Sequence, residues 1–286
     1  MSLTRHTRVE KRWVEGEVVF VKREDLTCDF PGPPFSKVRG LYPVLSHLKD
    51  AGVSHVGYME TAISMAGWGI CWICDHLGLT PVIFYPRYKG GYKYNQPFQM
   101  LAWSYFRSII LPVEKPNLQS INYYVAKRRF HELFPEGHFL PLGLPFPETV
   151  QAVSDEVQFH TPKHCLTGSI VVCAGSGAMA AGIVKGVSEL GLTPTLHAIL
   201  VHKKSEKGMG VKILEMSNTV SASLVKGSEC SLTALKVHDL GYDYTDREMI
   251  RTGFPCNEYY DRKAYKFIHD NIHKLRKPIL FWNIGA

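Results

Sequence analysis

Residues 169–191 read "SIVVCAGSGAMAAGIVKGVSELG", and this stretch decides the fold class. The uncharged run at its start is typical of a buried β-strand, and the small and apolar residues from Ala178 onward favour a helix. Gly175, Ser176 and Gly177 lie between the two and predict a tight turn. A glycine turn before a helix N-terminus presents unpaired backbone N–H groups to an anion. The stretch therefore predicts a phosphate-binding strand, turn and helix.

Several ligands fit such a turn, and a turn without any ligand is also an alternative. A Walker P-loop is excluded because no Gly-Lys-Ser/Thr follows the glycines. A dinucleotide site stays open, since Gly175, Gly177 and Ala180 fit the pattern G-x-G-x-x-A. The next predicted strand leads into lysines rather than a ribose-binding acid, although Lys203 and Lys204 could meet a 2′-phosphate. The glycine turn alone does not separate these alternatives.

The same alternation of apolar runs and amphipathic stretches extends over most of the chain. No linker rich in Pro, Gly or Ser separates one part from another. The pattern predicts an α/β fold with largely parallel sheets, in which any two domains exchange chain more than once. The predicted strands cover residues 16–24, 54–59, 80–86, 108–113, 169–174 and 195–201, and the predicted helices cover residues 36–52, 66–79, 99–106 and 178–191.

Composition and charge exclude some classes of function. With 286 residues and 45% hydrophobic content, the chain can bury a large core. It has no apolar run of the roughly 20 residues that span a bilayer and no secretory signal, so we expect a cytoplasmic protein without membrane contact. The net charge of +7 concentrates at residues 4–12, 126–131 and 201–208. A solvated surface is the favoured interpretation, and a nucleic-acid footprint is the alternative.

The seven cysteines are an odd number and lie in apolar surroundings, which favours reduced thiols. Cys71 and Cys74 have the spacing of a redox or zinc pair. Their surroundings, "WGICWICDHLGL", have helical periodicity, and no second CxxC or paired histidines accompany them. We therefore expect core packing and no metal site.

A second stretch, "VFVKREDLTCDFPGPPFSKVRGL" at residues 19–41, resembles the opening of the pyridoxal-phosphate (PLP) enzymes of fold type II. The likeness is greatest to 1-aminocyclopropane-1-carboxylate (ACC) deaminase and D-cysteine desulfhydrase. "GSGAMAAG" at residues 175–182 is similar to the family's loop for the cofactor phosphate. "EYYDRKAYKFI" at residues 258–268 and "KPILFWNIGA" at residues 277–286 resemble its closing helix and terminal strand. The landmarks follow in order over most of the chain.

The resemblance implies a PLP cofactor and a set of site residues. Lys37 matches the lysine that carries the cofactor, whereas Lys22 is structural in this pattern. Asp261, directly after Tyr260, matches the acid that holds the pyridine nitrogen, although a helix N-terminal acid is an equal alternative. Tyr260 and Tyr242 resemble tyrosines near the substrate. The residues matched to the phosphate loop are Gly175, Ser176, Gly177, Ala178 and Met179.

The resemblance also implies an architecture of two three-layer domains, with the cofactor in the cleft between them. We expect a larger cofactor-binding domain from residues 1–45 with 149–286. A smaller α/β domain would cover residues 46–148. Relatives are commonly dimers, so the resemblance implies a homodimer.

The chain departs from the family where relatives hold the substrate carboxylate with a Ser-Asn-His or Gly-Asn-His loop. Ser64 is retained here, but Met65 and Ala66 replace the two polar residues. A carboxylate that is poorly solvated and not held in its usual place loses CO₂ more readily. This departure favours a lyase that decarboxylates the α-carbon of an amino-acid group. The resemblance extends to phage enzymes of this type that act on thymine-linked amino acids, and the basic clusters suit such a DNA-borne substrate.

Two alternatives stand beside this hypothesis. The first is a deaminase or desulfhydrase that eliminates from a free small amino acid. The second is a cofactor-binding module whose catalysis has decayed, which the retention of Lys37 and Asp261 disfavours.

Overall fold

The computed structural model describes residues 3–114, 116, 118–218 and 234–286. Its elements are β1 (Val9–Val14), β2 (Glu17–Arg23), α1 (Val38–Asp50), β3 (His55–Met59), α2 (Ala66–Leu77), β4 (Thr80–Pro86), α3 (Gln96–Tyr105), β5 (Ile109–Val113), α4 (Gln119–Leu133), β6 (His138–Phe139), α5 (Pro147–His160), β7 (Ser169–Ala174), α6 (Ala178–Glu189), β8 (Thr195–Leu200), α7 (Glu206–Ser217), β9 (Ala234–His238), α8 (Asp261–Asn271) and β10 (Ile279–Asn283). The predicted α/β fold is confirmed.

The chain divides into two compact units. Unit 1 draws on Met1–Cys28, Pro34–Ser36 and Phe146–Ala286, and unit 2 on Asp29–Pro33 and Lys37–Pro145. Helix α1 lies wholly in unit 2 because it packs on α2. The boundary expected at residue 46 would instead divide this helix.

Unit 1 is built on a six-stranded sheet with the order β1-β2-β10-β7-β8-β9. Strand β1 pairs antiparallel with β2, and the remaining neighbours are parallel. Every residue of β7 is buried, as its uncharged sequence predicts. Because parallel strands end at a common edge, the turns after β7 and β8 lie at the same edge of this sheet.

Unit 2 is built on a four-stranded parallel sheet with the order β5-β4-β3-β6. Eight of the twelve residues of its helix α2 are buried. The thiols of Cys71 and Cys74 are both fully buried in this helix, as core packing requires. Burial raises the pKa of both thiols. Among the described residues, no helix is both long and apolar enough to cross a membrane.

Candidate active site

The glycine turn joins β7 to α6 as predicted. Gly177 precedes α6 with φ +91°, a left-handed conformation that favours glycine. A Cβ at this position would also lie only 3.0 Å from the Cε of Met216 and 3.1 Å from side-chain atoms of Ile213 and Met209. Backbone conformation and close packing therefore both require glycine here. The first N–H groups of α6 point out of the helix end, as anion binding needs.

Asp261 lies at the same sheet edge as the glycine turn. It is the first residue of α8 and is 2% exposed. Its Oδ1 accepts hydrogen bonds from the Ile284 backbone N–H at 2.8 Å and from the Cys173 thiol at 3.5 Å. Burial raises the pKa of Asp261 to about 7, against the opposing effect of these hydrogen bonds. Since Cys173 lies two residues before Gly175, unit 1 brings a buried carboxyl group close to the glycine turn.

The hydroxyl groups of Tyr260 and Tyr242 have different hydrogen-bond partners. The hydroxyl groups of Tyr260 and Tyr244 are hydrogen-bonded at 2.7 Å. The Tyr242 hydroxyl instead donates to the carboxylate of Glu248 at 2.7 Å, and burial together with this carboxylate raises the Tyr242 pKa. The ammonium group of Lys263 lies 4.9 Å from the Tyr242 ring centroid. Tyr244, which the sequence analysis did not select, is thus the tyrosine paired with Tyr260.

His202 and Lys204 follow β8 and lie near the residues described above. Lys204 Nζ donates to the Gly175 carbonyl at 2.9 Å, which places a cation beside the glycine turn. His202 Nδ1 is buried and has no hydrogen-bond partner among the described residues. Burial, followed by the charges of Lys204 and Lys263, lowers the His202 pKa to about 4. His202 was not selected from the sequence, although its position directly after a buried parallel strand is a usable signal.

Lys37 precedes α1 in unit 2 and is half-buried. Its Nζ donates to the Gly143 carbonyl at 2.7 Å. A lysine reacts with a carbonyl group as the neutral amine.

Lys22 has a structural environment. It is fully buried, and its Nζ donates to Glu156 at 2.6 Å, to the Thr7 carbonyl at 2.7 Å and to the His160 carbonyl at 3.0 Å. These three acceptors match the three donors of an ammonium group. The Glu156 carboxylate also lies 3.0 Å from His6 Nδ1 and near the His160 ring, a combination of side chains that can bind a metal ion. Here the Lys22 ammonium already neutralises the Glu156 carboxylate.

The loop at residues 60–66 connects β3 to α2, where the family resemblance places the substrate loop. Thr61 Oγ1 accepts from the Ser64 N–H at 3.1 Å, and Ser64 Oγ accepts from the Ala66 N–H at 3.1 Å. Gln99 Nε2 donates to the carbonyls of Thr61 at 3.0 Å and Ser64 at 2.5 Å. Met65 is the residue preceding α2. The loop is therefore held by its own hydroxyl groups and by α3.

Glu60 is the first residue of this loop, and its buried carboxyl group holds both ends of the loop. Its Oε1 accepts from the Thr61 N–H at 2.8 Å, and its Oε2 accepts from the Gly67 N–H at 2.5 Å. A Cβ on Gly67 would lie 2.9 Å from Glu60 Oε2 and 2.6 Å from Trp103 Nε1, so only glycine fits. Burial raises the pKa of Glu60 to about 7. No pattern in the sequence singles out this acid.

Residues of each unit, taken separately, suit parts of a PLP group. The N-terminus of α6 and its glycine turn suit a phosphate, and Asp261 is a buried carboxyl group of the type that would hold a pyridine nitrogen. Lys37 offers an amine at a helix N-terminus. When bound, PLP would withdraw electrons from the α-carbon of an amino acid that is joined to it through the amino nitrogen.

Comparison with solved structures gives the fold class. An ACC deaminase homologue matches with a TM-score of 0.79 and 22% identity, over 99% of this chain and 90% of that chain. O-acetyl serine sulfhydrylase isoform 3 from Entamoeba histolytica matches with a TM-score of 0.66 and 11% identity, over 99% of this chain and 87% of that chain. A hydrogen sulfide-producing enzyme from Fusobacterium nucleatum matches with a TM-score of 0.63 and 14% identity, over 99% and 96%. The fold is that of the type II PLP enzymes.

A phage protein has a higher sequence identity to this chain than these three structures have. The glycyl-dTMP PLP-dependent decarboxylase of Pseudomonas phage M6 is 31% identical over 289 residues, which cover 99% of each chain. The chain therefore belongs to the family of fold type II PLP-dependent enzymes that includes this phage decarboxylase, and the family resemblance inferred from its motifs is confirmed. No family profile matches the chain.

Proposed function

We propose that this chain is a PLP-dependent lyase that removes the α-carboxyl group from an amino acid carried on a thymidine nucleotide. The observation that carries the proposal is the full-length similarity to a decarboxylase named for glycyl-dTMP. A glycyl group on the nucleotide would lose CO₂ and keep its nitrogen.

The proposed roles follow the chemistry of each side chain. Lys37 would hold the cofactor through its amine, and the substrate amine would take the place of Lys37. The N–H groups of the glycine turn and of Ala178 and Met179 hold the phosphate. Asp261, a buried carboxyl group, would accept a hydrogen bond from the protonated pyridine nitrogen, whose charge its carboxylate would stabilise. Tyr260 and its partner Tyr244 position a proton near the substrate.

The substrate loop supports decarboxylation on physical grounds. Met65 and Ala66 offer no side-chain hydrogen-bond donor to a carboxylate. The backbone N–H groups of Ala66 and Ser64 donate to the hydroxyls of Ser64 and Thr61, so these two N–H groups are also not offered to a carboxylate. A carboxylate beside this loop meets a less polar surface than in relatives with asparagine and histidine. Loss of CO₂ would move the charge from the poorly solvated carboxylate to the α-carbon, from which PLP would withdraw the electron pair, so such an environment favours this bond cleavage.

Elimination from a free amino acid is the second candidate, favoured by the structural likeness to an ACC deaminase homologue. Product analysis separates the two reactions. We expect glycyl-dTMP to yield CO₂ and a nucleotide that retains the amine, with no product from Lys37→Ala. Release of ammonia and a keto acid from ACC or D-cysteine, with glycyl-dTMP unchanged, would overturn the proposal. A protein that binds PLP but converts none of these substrates would be a decayed module.

Two partner assignments belong to the same proposal. The nucleotide substrate makes DNA a candidate partner, as the basic clusters of the sequence suggest. The family resemblance supports a homodimer, which light scattering of the purified protein tests: a monomeric mass would contradict it.

A further inference from the structure

The segment between β4 and α3 alternates aromatic and cationic residues. Residues 87–94 read "RYKGGYKY", and we call them the Tyr/Lys loop. Tyr92 and Tyr94 are 53% and 50% exposed, although tyrosine rings usually bury most of their surface. The loop therefore presents two aromatic rings to solvent within three residues.

The loop also carries unneutralised positive charge. Arg87 pairs with Glu114 at 2.8 Å. Lys89 and Lys93 are exposed, and no carboxylate among the described residues lies within ion-pair distance of either one. Lys93 Nζ instead lies 5.0 Å from the centroid of the Tyr88 ring. Two lysines thus remain available for anions beside the exposed rings.

The ends of the loop are fixed. Gly90 and Gly91 have φ values of +88° and +100°, a left-handed backbone conformation that favours glycine. Gln96, which is buried, donates to the Pro86 carbonyl at 2.8 Å and accepts from the Lys93 N–H at 2.8 Å. The anchoring at both ends means that the exposure of the rings is imposed by the fold.

The loop adjoins the candidate substrate loop. The Asn95 N–H donates to the Ala62 carbonyl at 3.0 Å, which ties the end of the Tyr/Lys loop to residues 60–66. A cavity of about 250 Å³ lies between the Tyr/Lys loop and the end of β4. It is lined by Tyr85, Arg87, Tyr88, Gly91 and Tyr92. This volume is below the roughly 300–1,000 Å³ of pockets that enclose a small ligand, so the surface suits part of an extended one.

From this arrangement we propose that the Tyr/Lys loop is a docking surface for a single strand of DNA next to the nucleotide that reacts. The inference rests on the proposed function and adds that the substrate is part of a polynucleotide. Exposed aromatic rings stack with unpaired bases of any sequence, and neighbouring lysines bind the phosphates between them. A base in a duplex must leave the stack before an enzyme can act on it, so a site for unpaired flanking bases suits this reaction.

Binding to fluorescein-labelled oligothymidylate, followed by fluorescence anisotropy, tests the surface directly. We expect Tyr92→Ala/Tyr94→Ala to weaken binding by at least ~10-fold, because two stacking contacts are lost. We expect Lys89→Ala/Lys93→Ala to lower the slope of log affinity against log salt by about 1.4, at about 0.7 for each phosphate contact of a single strand. Phe159→Ala, an exposed aromatic in unit 1, and Lys49→Ala, an exposed cation in unit 2, are the matched controls.

Equal oligonucleotide affinity of the wild type, loop variants and controls would overturn the proposal. Loop-dependent binding to phosphatidylserine vesicles without binding to the oligonucleotide would also overturn it, in favour of a lipid surface.

Turnover separates this inference from the proposed function. Two substrates are compared by their kcat/KM: a glycyl-thymidine within an oligonucleotide, and glycyl-dTMP. We expect the loop variants to lower kcat/KM for the oligonucleotide more than for glycyl-dTMP, so that the ratio of the two values falls. An unchanged ratio would contradict docking at this loop even if both substrates are decarboxylated. If neither substrate reacts but oligonucleotide binding still depends on the loop, the proposed reaction fails while the docking surface stands.

Discussion

Cys173 and Asp261 are 88 residues apart in the sequence, yet the Cys173 thiol donates a hydrogen bond to Asp261 Oδ1 at 3.5 Å. This contact joins the strand before the glycine turn to the start of the closing helix. It places a buried carboxyl group at the edge of the sheet from which the glycine turn emerges.

The raised pKa of Asp261 predicts a pH dependence of stability in the cofactor-free protein. The folded protein keeps this proton up to about pH 7, whereas the unfolded chain releases it near the ordinary pKa of 3.8. Between these values the folded state binds more protons, so the free energy of unfolding falls as pH rises. The full difference corresponds to up to about 4 kcal/mol. Urea unfolding of the wild type and Asp261→Asn over this range measures it.

We expect the stability of wild type relative to Asp261→Asn to decrease from about pH 4 to about pH 7. Asp50→Asn, at an exposed position, is the control and should follow the wild type. Parallel curves for wild type and Asp261→Asn would show that this carboxyl group does not titrate as its burial requires.

Glu60→Gln tests the base of the substrate loop. The pKa of Glu60 rises from 4.5 to about 7, so its contribution to stability also falls as pH rises through this interval. Glutamine can accept through only one oxygen, so one of the N–H groups of Thr61 and Gly67 loses its partner. That loss costs about 1–3 kcal/mol at low pH, and the stability of wild type relative to the variant then falls as pH rises from about 4.5 to about 7. A variant with wild-type stability throughout would contradict the arrangement, and exposed Glu132→Gln is the control.

The tyrosine pairs predict different outcomes for three conservative variants. Tyr260→Phe and Tyr244→Phe each break the same hydrogen bond, so we expect each to lower kcat by at least ~10-fold and the double variant to be little worse. Tyr242→Phe removes the bond to Glu248 and should cost stability, about 0.5–1.5 kcal/mol, with a smaller effect on kcat. Single-turnover kinetics measure these effects. A larger loss of kcat in Tyr242→Phe than in Tyr244→Phe would reverse the assignment.

Lys22→Met separates the structural lysine from the proposed cofactor lysine. It leaves the Glu156 carboxylate buried without its ammonium partner, which costs about 3–5 kcal/mol. The double variant Lys22→Met/Glu156→Gln should recover much of this lost stability, because no charge is then left unpaired. Thermal unfolding of both variants measures this. Lys37→Ala in the cofactor-free protein should change the unfolding free energy far less. A stable Lys22→Met variant would contradict the assignment of Lys22.

Much of the fold could be predicted because its signals are local. The uncharged run of β7, the small residues of α6 and the left-handed Gly177 are all readable within one stretch of sequence. Strand β1 was not predicted, since it is an antiparallel edge strand with three charged residues, "VEKRWV". Helix α4 carries the basic cluster at residues 126–131 and lacks a strong apolar stripe.

The side-chain pairings of the site could be predicted less well. Tyr242 and Tyr244 differ by two positions in a loop, where no period tells which hydroxyl faces Tyr260. The role of Glu60 depends on the close approach of Gly67 and Trp103, which belong to different helices. The contact of Cys173 with Asp261 depends on long-range packing, which local sequence patterns do not report.

The account depends most on Lys37 as the residue that holds the cofactor. Borohydride reduction of the PLP-loaded protein, followed by peptide mapping with mass spectrometry, tests this directly. We predict a pyridoxyl-phosphate adduct on the peptide that contains Lys37, and its loss in Lys37→Ala. An adduct on Lys22 or Lys263, or on no lysine at all, would contradict the proposed site and the roles derived from it.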